Sequence, residues 1–362
     1  MGRAAGVTLR AAPPNPMVSP SLSLVHLAAH APHPALWTDT FCQRLTSLGE
    51  LHVMDRAAER SPEECAAIIR EHDVLLTGWD SIPVPAEIGE RPGRLRYVCN
   101  LTGSVKPFIP EEIIRSDLPV TNWGDAPAGE LAEGTLTLLL ACLKNLRGHI
   151  EEKRAGGWSG NFDGVALRGG SVRGLRVGLY GLGVIGRRFA ELLRPLGARV
   201  FAYDPYVAEL PPHVQRVDTL EALFATVDAV SIHAGLNAAT AGSVGTALLR
   251  RLPDGAIVIN TARGEIVDQA ALFAELASGR LRAGLDVLDG PDRLPSDHPA
   301  RSWPNLILTG HAVGINHWPH AMTARDCPLH PLHENALANL RRFKRGEPLH
   351  FRLSLEQFRV MT

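Results

Sequence analysis

In the stretch "GLYGLGVIGRRFAELLRPLGARVFAYDPY", Gly181, Gly183 and Gly186 form a G-x-G-x-x-G series, and Asp204 follows the last glycine by 18 residues. These residue types at this spacing suit the binding of a dinucleotide. Gly181 permits a tight turn, and Gly183 lets the backbone approach a pyrophosphate whose charge meets the positive end of the next helix. Gly186 lets that helix lie close to the preceding strand. A carboxylate at Asp204 can accept hydrogen bonds from both hydroxyls of an adenosine ribose and would repel a 2′-phosphate, which favours NAD over NADP. The alternative is a glycine-rich turn followed by a solvated aspartate, so the flanking elements have to decide.

They fit the dinucleotide reading. "LRVGLY" before Gly181 is a short β-branched and apolar run, hence a strand. After it, Ile185, Phe189, Leu193 and Leu196 recur on one helical face, and "ARVFAY" is a second strand ending at Asp204. Further strands are expected at "DAVSIHA", "GAIVINTA", "AGLDVL" and "NLILTGH". Upstream, "SLSLVHLAA", "ELHVMDR", "DVLLTGW", "LRYVCNL" and "LPVTN" read as strands. "WTDTFCQRLTSLG", "SPEECAAIIREH" and "PEEIIRSD" read as the helices between them. Ser61, Pro62 and Glu64 form a helix-start signal. From Pro127, "AGELAEGTLTLLLACLKNLRGHIEEKRAGG" has one long helical pattern and reads as a connector between two α/β domains. The tail, with the helical "HENALANLRRFKRGEP", is too short for a domain and is expected to pack back onto the first.

The chain of 362 residues is 45% hydrophobic and 21% charged, the composition of a soluble globular protein long enough for two cores. A formal net charge of −1 supplies no basic field for nucleic acid or an anionic membrane. No apolar run approaches the roughly 20 residues that span a bilayer. Five scattered cysteines without a C-x-x-C pair argue against a disulfide scaffold or a zinc site and suit a reducing cytoplasm. His26, His30 and His33 of "HLAAHAPHP" have irregular spacing and no converging partners. They read as an ordinary exposed segment, and no metal site is expected. The opening "MGRAAGVTLRAAPPNPMVSP" contains arginine and no acids, as a transit peptide would, and lacks the apolar core of a secretory signal; it reads as a disordered extension, with Met17 as an alternative start.

The later segments "DAVSIHAGLNAATAGSV", "LLRRLPDGAIVINTARGEIVDQAAL", "RAGLDVL" and "PNLILTGHAVG" follow in close succession. With the glycine unit, they resemble the D-isomer-specific 2-hydroxyacid dehydrogenases over about residues 126 to 315. The "INTARGEIVD" stretch is far more specific than the glycines. The resemblance implies two doubly wound, Rossmann- and flavodoxin-like parallel-sheet domains with a cleft between them. Residues 126–314 would be the NAD-binding domain, and 1–125 plus 315–362 the discontinuous catalytic domain. It further implies interconversion of a 2-keto acid and a D-2-hydroxy acid by a homodimer.

Carried over by position, Arg263 resembles the arginine that grips the substrate, for which a planar guanidinium fork is suited. His311 resembles the acid/base histidine. Asp286 matches the residue at the nicotinamide carboxamide, with a buried capping aspartate as the alternative. Val184 and Ile185 would lie by the pyrophosphate, and Thr261 and Gly314 would line the nicotinamide pocket beside Arg263 and His311. Thr102, Gly103 and Ser104 of "NLTGSV" occupy the place of the loop whose amides hold the substrate carboxylate, although an ordinary turn is the rival.

The usual glutamate partner of the histidine is missing from "DVLDGPDRLPSDHP". A one-residue insertion would put Asp292 in that role, with Asp289 or a solvated loop acid as rivals. Gly310 and Gly235 replace prolines that normally stiffen two turns. A non-catalytic, NAD-responsive corepressor-like protein and a formate- or phosphite-type dehydrogenase are the competing functions.

Overall fold

A computed structural model describes residues 21–158, 169–314 and 329–360. The opening twenty residues, "INHWPHAM" and Cys327 lie outside the described residues. The chain divides into two units. The described part of one comprises residues 21–124 and 329–358, and that of the other 125–158, 169–314 and 359–360.

The first unit begins with β1 (Leu22–Leu27), α1 (Asp39–Thr46), β2 (Gly49–Met54) and α2 (Pro62–Arg70). It continues with β3 (Val74–Thr77), β4 (Tyr97–Asn100), α3 (Glu111–Arg115) and β5 (Val120–Thr121). The second opens with α4 (Ala128–Leu143), α5 (Leu146–Arg154), β6 (Arg176–Tyr180), α6 (Val184–Leu193), β7 (Arg199–Tyr203) and β8 (Val214–Arg216). There follow α7 (Leu220–Thr226), β9 (Ala229–Ile232), α8 (Thr246–Leu249), β10 (Ile257–Asn260), α9 (Gln269–Ala277), β11 (Arg282–Leu285) and β12 (Leu306–Leu308). The chain then returns to the first unit with α10 (Pro331–Arg345).

Local chemistry starts and stops these elements. Ser61 accepts from the Glu64 amide while the Glu64 carboxylate accepts from the Ser61 amide, closing a capping box in front of α2. Thr38, Thr219 and Asp268 cap α1, α7 and α9 in the simpler way. The single long helix expected after Pro127 is in fact two. Asn145 adopts a left-handed φ of 50°, and the Leu143 carbonyl accepts from the Gly170 amide instead of continuing the helical ladder. Asparagine tolerates this conformation better than most side chains. β8 carries no strand signal in the sequence, because "VQR" has no apolar run and only Val214 is buried.

Every pairing between these strands is parallel. The first sheet has the order β2-β1-β3-β4-β5 and the second β12-β11-β10-β9-β6-β7-β8. All four residues of β9 and of β10 are buried, which explains why they read as continuous apolar runs rather than alternating ones. One face of the second sheet packs Val177, Leu179 and Ile259 against Leu138 and Leu139 of α4 and Phe189 of α6. The other packs Val230, Ile232 and Val258 against Phe224 of α7 and Leu272 of α9. In the first unit, Leu337 and Leu340 of α10 share a core with Leu24, Leu76 and Phe41. Within the second sheet β6 lies between β7 and β9, so successive strands run outward in opposite directions from it. A crevice at the carboxyl ends of β6 and β9 is where such sheets bind ligands.

Candidate active site

The glycine turn occupies that crevice. Gly181 has a φ of +96°, and a Cβ there would fall 2.6 Å from the Ala234 amide nitrogen just beyond β9. A Cβ on Gly186 would lie 2.6 Å from the Gly181 carbonyl oxygen, so α6 leaves the turn in backbone contact with it. No side chain caps α6, Gly183 has no atom within 4 Å of a built Cβ, and Val184 is 56% exposed. Among the described residues the first amides of this ten-residue helix thus have no side-chain acceptor, an arrangement that suits an anion.

Asp204 is no freely solvated loop acid. Its carboxylate accepts from the Leu182 amide at 2.7 Å and the Tyr206 amide at 2.9 Å, which fixes it against the glycine turn. The nearby Arg216 guanidinium donates to the carbonyls of Val207 and Ala208, so it braces the turn after Asp204. These residues fit a dinucleotide, with an amide cradle for the pyrophosphate and a rigid carboxylate for the ribose. No motif singles out His233, yet it is buried beside the glycine turn. It lies at the end of β9, where Gly181 packs, and its Nε2 meets the Ser231 hydroxyl at 2.9 Å. Burial pushes its pKa down to about 4, so it is neutral at ordinary pH.

Beyond β10, the buried Asn260 amide shapes the next turn: Nδ2 donates to the Arg263 carbonyl at 2.8 Å and Oδ1 accepts from Ala262 at 3.0 Å. Arg263 Nη1 donates to the Ala262 carbonyl. A Cβ on the neighbouring Gly264 would overlap the Leu288 carbonyl, so this turn rests backbone to backbone on the loop after β11.

That loop carries Asp292. Its Oδ1 accepts from the Leu288 amide and its Oδ2 lies 2.6 Å from His311 Nδ1. A carboxylate only accepts, so Nδ1–H donates and the Nε2 edge of the half-exposed ring is left for another partner. Asp289 is placed differently, with its amide donating to Gln269. Both His311 and Asp292 have left-handed backbones, with φ of 59° and 51°. Asp286 supports this geometry. Its carbonyl accepts from the His311 amide at 2.5 Å, and its Oδ1 accepts from the Thr309 hydroxyl and the amides of Ala312 and Val313. Asp286 is thus a buried capping aspartate, whatever else its second oxygen does.

Two further residues meet α4. Thr135 donates to the Leu131 carbonyl at 2.7 Å, so its 3.0 Å contact with Thr261 is one in which the Thr261 hydroxyl donates. Among the described residues no donor meets the Thr261 hydroxyl oxygen beyond this contact. Gly314 packs on Leu131 so closely that a Cβ would overlap its side chain.

The Thr102–Ser104 loop follows β4 in the first unit. The Thr102 side chain is buried against Asn100, and its carbonyl accepts from Asn100 Nδ2 at 2.7 Å and the Trp123 amide at 3.2 Å. The Thr102 side chain is thus already engaged, and among the described residues the amides of Gly103 and Ser104 have no protein acceptor. The "HLAAHAPHP" segment is only partly exposed, a correction to the sequence reading. His26 is fully buried, with Nδ1 3.0 Å from the Leu76 carbonyl and Nε2 3.2 Å from Asp80. No group of three metal-ligating side chains occurs among the described residues. Among the same residues, no helix is long and apolar enough to cross a membrane.

A doubly wound sheet with a dinucleotide cradle, and an Arg–His–carboxylate set on the turns beyond β10 to β12, defines a nicotinamide-dependent oxidoreductase acting on CH–OH groups. The chain belongs to the D-isomer specific 2-hydroxyacid dehydrogenase family, whose NAD-binding-domain model matches residues 136–313. It is 31% identical to a hydroxypyruvate reductase of Thermotoga maritima over 273 residues, covering 74% of this chain and 86% of that one. It is 30% identical to a glyoxylate reductase of Korarchaeum cryptofilum over 309 residues, covering 84% and 90%. Its fold is similar to that of D-lactate dehydrogenase with NAD+ from Lactobacillus jensenii, with a TM-score of 0.74, 22% identity, and 91% and 99% of the two chains covered.

The contact at Gly264 can be tested directly. Gly264→Ala forces two backbones apart and is expected to cost about 1–3 kcal/mol, the range for overpacking. Gly129→Ala in α4, where no atom lies within 4 Å, should be neutral or slightly stabilising. Urea unfolding of the two variants checks this. Equal midpoints would show that the loops are not in contact.

Proposed function

We propose that this protein reduces a 2-keto acid to the D-2-hydroxy acid with NADH, or runs the reverse, with His311 as the acid/base and Arg263 gripping the substrate. The observation that carries this reading is the 2.6 Å His311–Asp292 pair, held on a loop that is itself pressed against the Arg263 turn. When bound, the dinucleotide supplies the hydride. His311 then donates its Nε2 proton to the carbonyl oxygen, while Asp292 fixes the ring and stabilises the imidazolium that precedes transfer. Arg263 cannot be the donor because a guanidinium keeps its protons, but its fork suits the substrate carboxylate and keto oxygen. In the first unit, the amides of Gly103 and Ser104 are suited to a substrate carboxylate.

In this reading residues 126–314 hold the cofactor and residues 1–125 with 315–362 the substrate. Gly181, Gly183, Val184, Ile185 and Gly186 contact the pyrophosphate. Asp286 holds the nicotinamide carboxamide, and Thr261 and Gly314 line the pocket around it. Asp204 holds the ribose, and its rigid charge supports NAD over NADP. The exposed Leu146, Ile150 and Trp158 on and after α5 support a homodimer, and the cytoplasm is the compartment this reading gives it.

The experiment that tests the reading is NADH oxidation with a panel of keto acids by the parent and two variants. His311→Ala should bind NADH normally and lose roughly 10²–10⁴ in turnover, the usual range for a positioned acid. Arg263→Ala should raise KM as well as lower turnover. Parent-rate reduction by His311→Ala would overturn the assignment.

Cofactor choice is a separate expectation. The parent should prefer NADH, and Asp204→Ser should narrow its preference over NADPH by removing the negative charge. The ratio of kcat/KM for the two cofactors checks this. Equal use of both by the parent would remove Asp204 from the role.

A further inference from the structure

Three aromatic rings at the carboxyl end of the first sheet have no part in the proposed chemistry. Trp79 follows β3 and is 44% exposed. It meets Trp123, just beyond β5, edge to face at 6.2 Å, and His33 in the same way at 5.6 Å. Trp123 in turn covers the Thr102–Ser104 loop: a Cβ on Gly103 would fall 2.6 Å from the Trp123 ring. The rings therefore stand beside the two amides that lack protein acceptors.

This wall is braced from below. Asp80, next to Trp79, accepts at Oδ2 from the His33 amide at 2.6 Å and from Trp37 Nε1 at 3.0 Å, and the same oxygen faces the buried His26. The Asp80 carboxylate is buried, and its ionised form is the one these partners favour: burial opposes ionisation, but His26 and the His33 amide outweigh it. An exposed indole held in place on rigid supports is apolar surface ready to be covered. A keto acid without a C3 substituent would leave it wet. An aryl group attached at C3 would cover it, gaining edge-to-face ring contacts as well as area.

We infer that the Trp79–Trp123 pair selects a 2-keto acid bearing an aromatic ring on C3, in preference to glyoxylate or pyruvate. The inference rests on the proposed reading of the Gly103 and Ser104 amides as the carboxylate site. It sets this chain apart from relatives named for glyoxylate and hydroxypyruvate.

The test uses the full chain with NADH and three probes: phenylpyruvate, pyruvate and glyoxylate. Phenylpyruvate should have the highest kcat/KM, by about tenfold over glyoxylate. Trp79→Ala should lower the phenylpyruvate value about tenfold more than the glyoxylate value, and Trp79→Phe should restore most of the difference. In parallel, phenyllactate should quench the tryptophan fluorescence of the NADH-loaded parent more than that of Trp79→Ala. A parent that prefers glyoxylate, or a Trp79→Ala variant that loses both activities by the same factor, overturns the inference and leaves the proposed reaction standing. Absence of NADH oxidation with every keto acid, despite NADH binding, overturns the proposed reaction and this inference with it.

Discussion

Gly264 presses its backbone against the Leu288 carbonyl so closely that a methyl group there would overlap it. Through that contact the turn bearing Arg263 and the loop bearing Asp292 form one rigid object. Asp292 then reaches His311, and Asp286 ties the His311 turn to the end of β11. Three chemically different side chains, those of Arg263, Asp292 and His311, are thereby carried on turns tied to one another, and the carboxylate and the imidazole meet directly. A close backbone approach suits this purpose because it has no rotamers to lose.

The left-handed backbones of His311 and Asp292 belong to the same arrangement. Non-glycine residues in that region each cost on the order of 1–3 kcal/mol and persist only where the surroundings impose them. Here the surroundings are explicit: the Asp286 carbonyl on the His311 amide, and the Asp292 carboxylate shared between Leu288 and His311. Where the resemblance implies a glutamate, Asp292, with its positive φ, stands 2.6 Å from the ring.

Much of the fold was legible in the sequence because parallel strands buried on both faces appear as unbroken apolar runs, as in "AVSI" and "IVIN". The capping box at Ser61 and the glycine turn were legible for the same kind of reason, since their chemistry is local. The break at Asn145 was not, because nothing in the helical pattern excludes asparagine and only the Gly170 amide competing for the Leu143 carbonyl decides it. Spacing could not choose between Asp289 and Asp292, since the choice depends on backbone angles. The link from Thr135 to Thr261, the seat of His233 under Gly181 and the burial of His26 on Asp80 are tertiary contacts that no motif announces.

The central claim is that Asp292 and His311 act as one proton-donating unit, and single-turnover reduction of a keto acid by NADH-loaded enzyme measures it most directly. Asp292→Asn preserves the shape of the loop and removes the charge behind the imidazole. It should slow the loss of NADH absorbance at least tenfold and change the pH dependence of that rate, with NADH affinity unchanged. Asp289→Asn should follow the parent. If Asp292→Asn reduced substrate at the parent rate over the same pH range, the pair would have no part in proton transfer, and the account built on it would be wrong.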